Sequence, residues 1–258
     1  MVYETILVSR EEPLGIITLN RPQASNALNT KVVAELVGAL GEFEKDDTIR
    51  CLVLTGSERA FSAGADIKEM VDVTAMDMVK TSHFFPLWDK VGKYSKPIVG
   101  ALSGFVLGGG LELAMCCDVL IASETTQMGQ PEIDLGIMPG GGGTQRLSRA
   151  VGKYKAMEMI LTGKRIGAEE AKTLGLVSRV VPKEAYLEEA KKVARDIASK
   201  SPIAVKMAKM AVNKSFELGL SEGMDFEREA FYLLFASEDK NEGTKAFMEK
   251  RKPEFKGR

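Results

Sequence analysis

With 258 residues, 45% of them hydrophobic and 28% charged, the chain can bury one substantial core beneath a well solvated surface, as a soluble globular protein does. Its 35 Lys and Arg against 36 Asp and Glu leave a formal charge of -1, which excludes a global field for nucleic acid or anionic lipid, so any basic site has to be local. The start, MVYETILVSREEPLG, lacks a basic segment followed by a long apolar one, and no apolar run is long enough to span a bilayer; the expected compartment is the cytoplasm, with no membrane partner.

Taken in chain order, short β-branched runs (Ile16 to Leu19, Cys51 to Thr55, Ile98 to Leu102 and Asp118 to Ala122) alternate with helical or loop segments, an α/β pattern that continues to about residue 182. Lys31 to Lys45 carries Val33, Leu36, Val37 and Leu40 on one helical face, with Thr30 as its cap candidate, and should pack on a sheet. Cys51, Cys116 and Cys117 lie in apolar runs, which suits buried thiols in a reducing compartment rather than a disulfide framework or a zinc site. From about Lys183 onward the strands stop. Helices follow one another, with Ser201-Pro202 and Ser221 as expected starts. Met207, Met210 and Ala211, then Phe231, Leu234 and Phe235, give these helices apolar faces that need a partner, either the chain's own body or another subunit. The division is therefore 1–182 for an α/β body and 183–258 for a helical region.

Three stretches carry the chemistry. The first, Ala60 to Lys68, follows an expected strand and is crowded with small residues that let a ligand approach main-chain N–H groups; alone it reads as a tight turn before a helix. The second, Ser103 to Asp118, feeds Gly108, Gly109 and Gly110 into an apolar helix, which collects free donors and a positive dipole end where an oxyanion can sit. It lacks the Lys and Ser or Thr of a P-loop, and Glu112 in its first turn, taken alone, is a dipole partner. The third runs from Met128 through Pro131-Glu132 to the glycines Gly140 to Gly143 and Thr144-Gln145-Arg146-Leu147. Its surroundings should dehydrate Glu132, although a helix-start acid is the plainer reading; Asp134 is a candidate ion-pair partner for Arg146.

Together these stretches closely resemble the enoyl-CoA hydratase/isomerase, or crotonase, superfamily, and within it the short-chain enoyl-CoA hydratases with two catalytic glutamates. The resemblance runs from Ile17-Thr18-Leu19-Asn20-Arg21-Pro22 to Ala246-Phe247-Met248-Glu249-Lys250-Arg251, and Lys96-Pro97, Gly108 to Ala114, Gly129-Gln130-Pro131-Glu132 and Gly142 to Leu147 keep the family's order and spacing. It implies a spiral of ββα repeats followed by a helical trimerisation region, assembled as a trimer or a dimer of trimers. By position it implies that Ala65 and Gly109 form the oxyanion hole and that Glu112 and Glu132 are the acid/base pair. The same matching places Ala63, Asp66, Ile67 and Lys68 along the CoA arm, and has Phe247 and Lys250 reach a neighbouring subunit's CoA pocket.

The implied reaction is reversible addition of water across the 2,3 double bond of an enoyl-CoA, with Glu112 activating the water and Glu132 protonating Cα. Two N–H donors would hold the thioester oxygen as it gains charge. No cofactor is expected beyond the coenzyme A of the acyl-CoA substrate, and no metal-ligand spacing is present. Three alternatives share the fold: an isomerase, which can work with one carboxylate; a 3-hydroxyacyl-CoA dehydratase with the same residues; and an RNA-binding relative, which the near-neutral charge disfavours. His83, the only histidine, is expected to be non-catalytic, and Trp88 with Phe84-Phe85 to line the core or the acyl pocket. The variable stretch Glu69 to Tyr94 should shape that pocket, and Asp134 stands where an apolar or small residue is usual.

Overall fold

The computed structural model describes residues 3–81 and 85–258. His83 and Phe84 lie outside the described residues. The elements follow as β1 (Ile6–Glu11), β2 (Leu14–Leu19), α1 (Thr30–Glu44), β3 (Cys51–Thr55), β4 (Ala60–Ser62), α2 (Ala75–Thr81), α3 (Phe85–Gly92), β5 (Ile98–Leu102), β6 (Phe105–Leu107) and α4 (Gly109–Ala114). After them come β7 (Val119–Ser123), β8 (Gln127–Gly129), α5 (Gly143–Val151), α6 (Lys153–Thr162), β9 (Arg165–Gly167), α7 (Ala168–Thr173), β10 (Arg179–Val181), α8 (Tyr186–Ala198), α9 (Pro202–Lys214), α10 (Leu220–Leu234) and α11 (Glu238–Met248).

Two sheets organise the body: one in the order β1-β2-β3-β5-β7-β10, parallel except for the β1–β2 hairpin, and a smaller one in the order β4-β6-β8-β9. Each of the pairs β3 and β4, β5 and β6, β7 and β8 gives its first strand to the large sheet and its second to the small one. Repeated with helices between, this is the ββα spiral. The four runs read as strands appear within a few residues of their expected bounds.

Strand β3 is buried throughout, so both sheet faces are covered. Leu52 and Leu54 point into one core with Leu36, Leu40 and Phe43 of α1, while Cys51 and Val53 alternate into a second with Tyr186, Ala190, Ala194 and Ala198 of α8. Full burial of a side chain such as Phe43 is worth about 1.5–3 kcal/mol. The small residues four apart on α8 let it lie close on the sheet. The first helix beyond residue 183 therefore covers the α/β body, and it is α9, α10 and the residues just after each that expose Val212, Phe216, Leu220, Phe231, Leu233 and Phe235. Helix α9 starts as expected, with Ser201 accepting from Ala204 N and Pro202 in its first turn. Lys209 ties it to the sheet, donating to Asp118 Oδ2 at 2.7 Å and to the Lys96 carbonyl at 2.9 Å.

Two local expectations shift. Helix α1 is capped by Asn29, whose Oδ1 accepts from Val32 N at 3.0 Å; Thr30 instead donates from N and Oγ1 to Glu69, both at 2.9 Å. Both residue types cap well, and the neighbour supplied by the 63–69 segment decides between them. Helix α10 begins at Leu220 after Gly219, with no side-chain cap, rather than at Ser221. The cysteines are free; Cys51 and Cys116 are buried, which pushes both thiols up to about 12, and Cys117 is half-buried.

Candidate active site

The parallel strands β4, β6 and β8 run side by side, with Ser62 paired to Val106 and Leu107 paired to Gly129. Their carboxyl ends therefore open at one edge, the place where α/β sheets gather ligands. The three motif stretches leave from those ends, so chain segments up to some seventy residues apart meet at one point.

Gly108 turns the chain from β6 into α4 with φ 50° and ψ -128°, a conformation open to glycine, and its N–H donates to the Gly129 carbonyl at 2.9 Å. A Cβ there would lie 3.1 Å from Glu132 Oε1, so the bare backbone also makes room for that carboxyl. The positive φ belongs to Gly108 and, across the site, to Gly64, not to Gly109. A Cβ on Gly64 would lie 3.5 Å from Gly109 N, and one on Gly109 would lie 3.4 Å from Ala65 N. The main chain at Ala65 and at Gly109 thus faces itself across a narrow gap. Among the described residues neither N–H donates to a protein acceptor. Two unspent donors facing one space are the geometry that holds a carbonyl oxygen as it becomes an oxyanion.

Glu112, one turn into α4, is only 3% exposed. Its Oε1 accepts from Gly141 N and Gly143 N, each at 2.7 Å. Burial raises its pKa, opposed by those two N–H donors and by the charge of Arg146. Arg146 donates from Nη1 to the Gly141 carbonyl at 3.0 Å, which steadies the loop holding Glu112. The pairing expected with Asp134 does not form among the described residues: the exposed Asp134 carboxyl lies against Gly163.

Glu132 follows Pro131 in a 3-10 turn and is half-buried. Desolvation, then the charge of Glu112, push its pKa up to about 7, against a lowering hydrogen bond from its own backbone. The buried Gln130 carboxamide, oriented as its neighbours require, donates from nitrogen to Glu132 Oε1 at 2.7 Å and Oε2 at 3.1 Å, a contact that favours the carboxylate and works against that rise. Two carboxyls thus sit in one site in different environments: Glu112 fixed by backbone donors that favour the carboxylate, Glu132 poised to carry a proton near neutrality.

A carboxyl whose folded pKa lies above its ordinary 4.5 binds protons in the folded state that the unfolded chain has released, so stability falls as pH rises between those values. Glu132→Gln removes that loss. At about pH 8 the variant should be more stable by roughly 1–3 kcal/mol, an advantage that disappears near about pH 4, as thermal unfolding at the two pH values would show.

Trp88 forms one wall. A Cβ on Gly141 would stand 2.7 Å from its Cε2 and 2.6 Å from Glu112 Oε2, and the ring belongs to the main core. Ala63, Ile67 and Lys68 are exposed and Ala65 and Asp66 half-buried, so the segment from 63 to 68 offers an accessible edge beside the donors. Phe247, 85% exposed, and Lys250, with φ 55°, stand at the end of α11; no hydrogen bond or ion pair among the described residues joins them to that edge. Among the described residues no group of three or more His, Cys, Asp or Glu could hold a metal ion. Gln130 and the Gly141 and Gly143 donors carry roles that the motifs did not assign, although a glycine run entering a helix is a signal for free N–H groups.

Residues 9–258 match the family model for enoyl-CoA hydratase/isomerase. A probable enoyl-CoA hydratase of Rhizobium meliloti (strain 1021) is 55% identical over 258 residues, covering 100% of both chains. One from Mycobacterium tuberculosis (strain CDC 1551 / Oshkosh) is 54% identical over 99% of both. The crystal structure of an enoyl-CoA hydratase from Bacillus anthracis superposes with a TM-score of 0.94 at 38% identity, covering 99% of this chain and 100% of that one.

Proposed function

We propose that this chain, which belongs to the enoyl-CoA hydratase/isomerase family, is an enoyl-CoA hydratase that adds water reversibly across the 2,3 double bond of an enoyl-CoA to give a 3-hydroxyacyl-CoA. One observation carries the reading: two carboxyls, Glu112 and Glu132, converge beside two unspent N–H donors, Ala65 and Gly109. An isomerase of this fold can work with a single carboxylate; here both positions are filled.

In this reading the thioester oxygen sits between Ala65 N–H and Gly109 N–H, and attack of water at Cβ drives electrons onto it. The donors then bind the enolate-like transition state more strongly than the ground state. Glu112, whose carboxylate form accepts from Gly141 N–H and Gly143 N–H, takes the proton from water, and Glu132, with its pKa pushed up to about 7, delivers one to Cα. Ala63, Asp66, Ile67 and Lys68 line the CoA arm. Substrate coenzyme A is the only non-protein group the reaction uses, and the cytoplasm is the proposed compartment. No helix of the described residues is long and apolar enough to cross a membrane. Crotonyl-CoA incubated with the protein should lose the absorbance of its conjugated thioester until equilibrium is reached; an unchanged spectrum at micromolar enzyme would overturn the assignment.

The assembly belongs to the same proposal: a trimer or dimer of trimers joined partly through the exposed apolar faces of α9 and α10, with Phe247 and Lys250 presented to a neighbour's CoA pocket. Light scattering at micromolar concentration should return a multiple of three chains, and a fully active monomer would exclude it.

A further inference from the structure

The loop from Arg21 to Asn29 has no part in the chemistry above, yet it is built with unusual care. Ser25 and Asn26 adopt positive φ of 48° and 56°, rare for residues with side chains, and Asn26 is 2% exposed. Its Oδ1 accepts from Arg21 N at 2.8 Å, and its Nδ2 donates to the Ala60 carbonyl at 2.8 Å. The Arg21 guanidinium, itself mostly buried, divides its donors: Nη1 to the Ala27 carbonyl at 2.6 Å and Nη2 to Asp66 Oδ2 at 2.9 Å. Both acceptors lead to Ala65.

In a trans peptide the C=O and the following N–H lie in one plane and point opposite ways. Holding the Ala27 carbonyl therefore fixes the Leu28 N–H, which donates to the Gly64 carbonyl at 2.8 Å. Holding the Gly64 carbonyl fixes in turn the N–H of Ala65, which shares that peptide plane and must point away from Leu28. Gly64, with φ 105°, would otherwise leave this plane free to rotate. On the other side of Ala65, Asp66 N donates to the Leu28 carbonyl at 2.9 Å while its carboxylate takes the guanidinium. A cation at the head of two hydrogen-bonded peptides also polarises each in the sense that strengthens the last N–H as a donor.

We infer that Arg21 is a positioning residue for the oxyanion hole, acting through the Ala27–Leu28 and Gly64–Ala65 peptides to aim the Ala65 N–H. The inference rests on the hydratase reading, in which Ala65 supplies one of the two donors.

The test joins kinetics to a spectroscopic readout that needs no turnover. Butyryl-CoA labelled with 13C at its thioester carbonyl cannot be hydrated, and its C=O stretch falls when donors grip the oxygen. Bound to the unaltered protein, that stretch should lie below its value in free solution; an unshifted stretch would overturn the hydratase reading and this inference with it. In Arg21→Gln the stretch should move back towards the free value, and crotonyl-CoA turnover per folded site should fall about ten- to a hundredfold, short of the full loss of a donor. CoA affinity should stay within about threefold because CoA carries no thioester oxygen for the donors to hold and the exposed 63–68 edge persists. Arg21→Lys, which keeps the charge, should recover part of both signals. Adding Asp66→Asn to Arg21→Gln should cost less than the two single effects combined, since the two groups form one clamp. A purely structural role gives the opposite pattern: lower thermal stability in Arg21→Gln with normal stretch and normal turnover per folded site. That result would overturn the positioning role and leave the hydratase reading standing.

Discussion

Glu112→Gln and Glu132→Gln should each lower crotonyl-CoA hydration by about two to four powers of ten, the range for a lost general acid or base, while the fold and CoA affinity persist. The amide oxygen of a glutamine at 112 can still accept from Gly141 N and Gly143 N, so the loop that frames the site keeps its anchor. The altered group simply cannot exchange a proton. The two variants should part in a second measurement. If Glu132 serves Cα, as its pKa near 7 favours, exchange of the α-protons of butyryl-CoA into heavy water needs Glu132 and not Glu112. Glu132→Gln should abolish that exchange and Glu112→Gln should retain it. Near-full hydration in either variant removes that residue from the acid/base pair, and the reverse exchange pattern would swap the two roles.

Gly109→Val should lower turnover per folded site by about two to three powers of ten, the usual loss when an oxyanion donor is removed. The contribution proposed for Gly109 is a backbone N–H, which no side-chain deletion can test. Its φ lies outside the left-handed region, so a side chain is not forbidden by backbone angle, and the first carbon would stand 3.4 Å from Ala65 N and from Trp88 Cζ2. That carbon alone fits. The branching carbons of valine extend into the gap between the two donors or against Trp88, and push a bound carbonyl off its seat. CoA binding, which we propose runs along residues 63–68, should stay within about tenfold. A substitution at Gly108 makes a poor test in comparison, because its positive φ and the 3.1 Å approach to Glu132 would disturb the backbone and the acid together. Normal turnover per folded Gly109→Val site, measured with thermal unfolding and CoA binding, would leave α4 as a helix start and nothing more.

All three variants draw on positions whose residue types could be read directly from the chain. The order and spacing of Gly108 to Glu112 and Gly129 to Glu132, and the alternation in Cys51 to Thr55, are local patterns. The sequence by itself therefore determined the α/β body with helices after it and the burial of Cys51 and Cys116, and through the family resemblance it singled out Glu112 and Glu132 as the acids to test. It did not determine that α8 would cover the sheet while α9 and α10 stay bare, because an apolar helical face records that a partner is needed and not which one.

The site's working environment came only with the tertiary structure. Gly141 and Gly143 reach Glu112 from some thirty residues away, Arg146 turns to a carbonyl instead of Asp134, and Gln130 clasps Glu132. Arg21 reaches Asp66 across 45 positions. Hydrogen bonds of this kind depend on which strand ends lie side by side, and the shift of Glu132 towards neutrality depends on how much water the assembled walls exclude. Neither quantity has a period along the chain. Burial and long-range register are properties of the packed sheets, and they give two acids of one type different surroundings, one met by two backbone N–H donors and the other with its pKa pushed up to about 7.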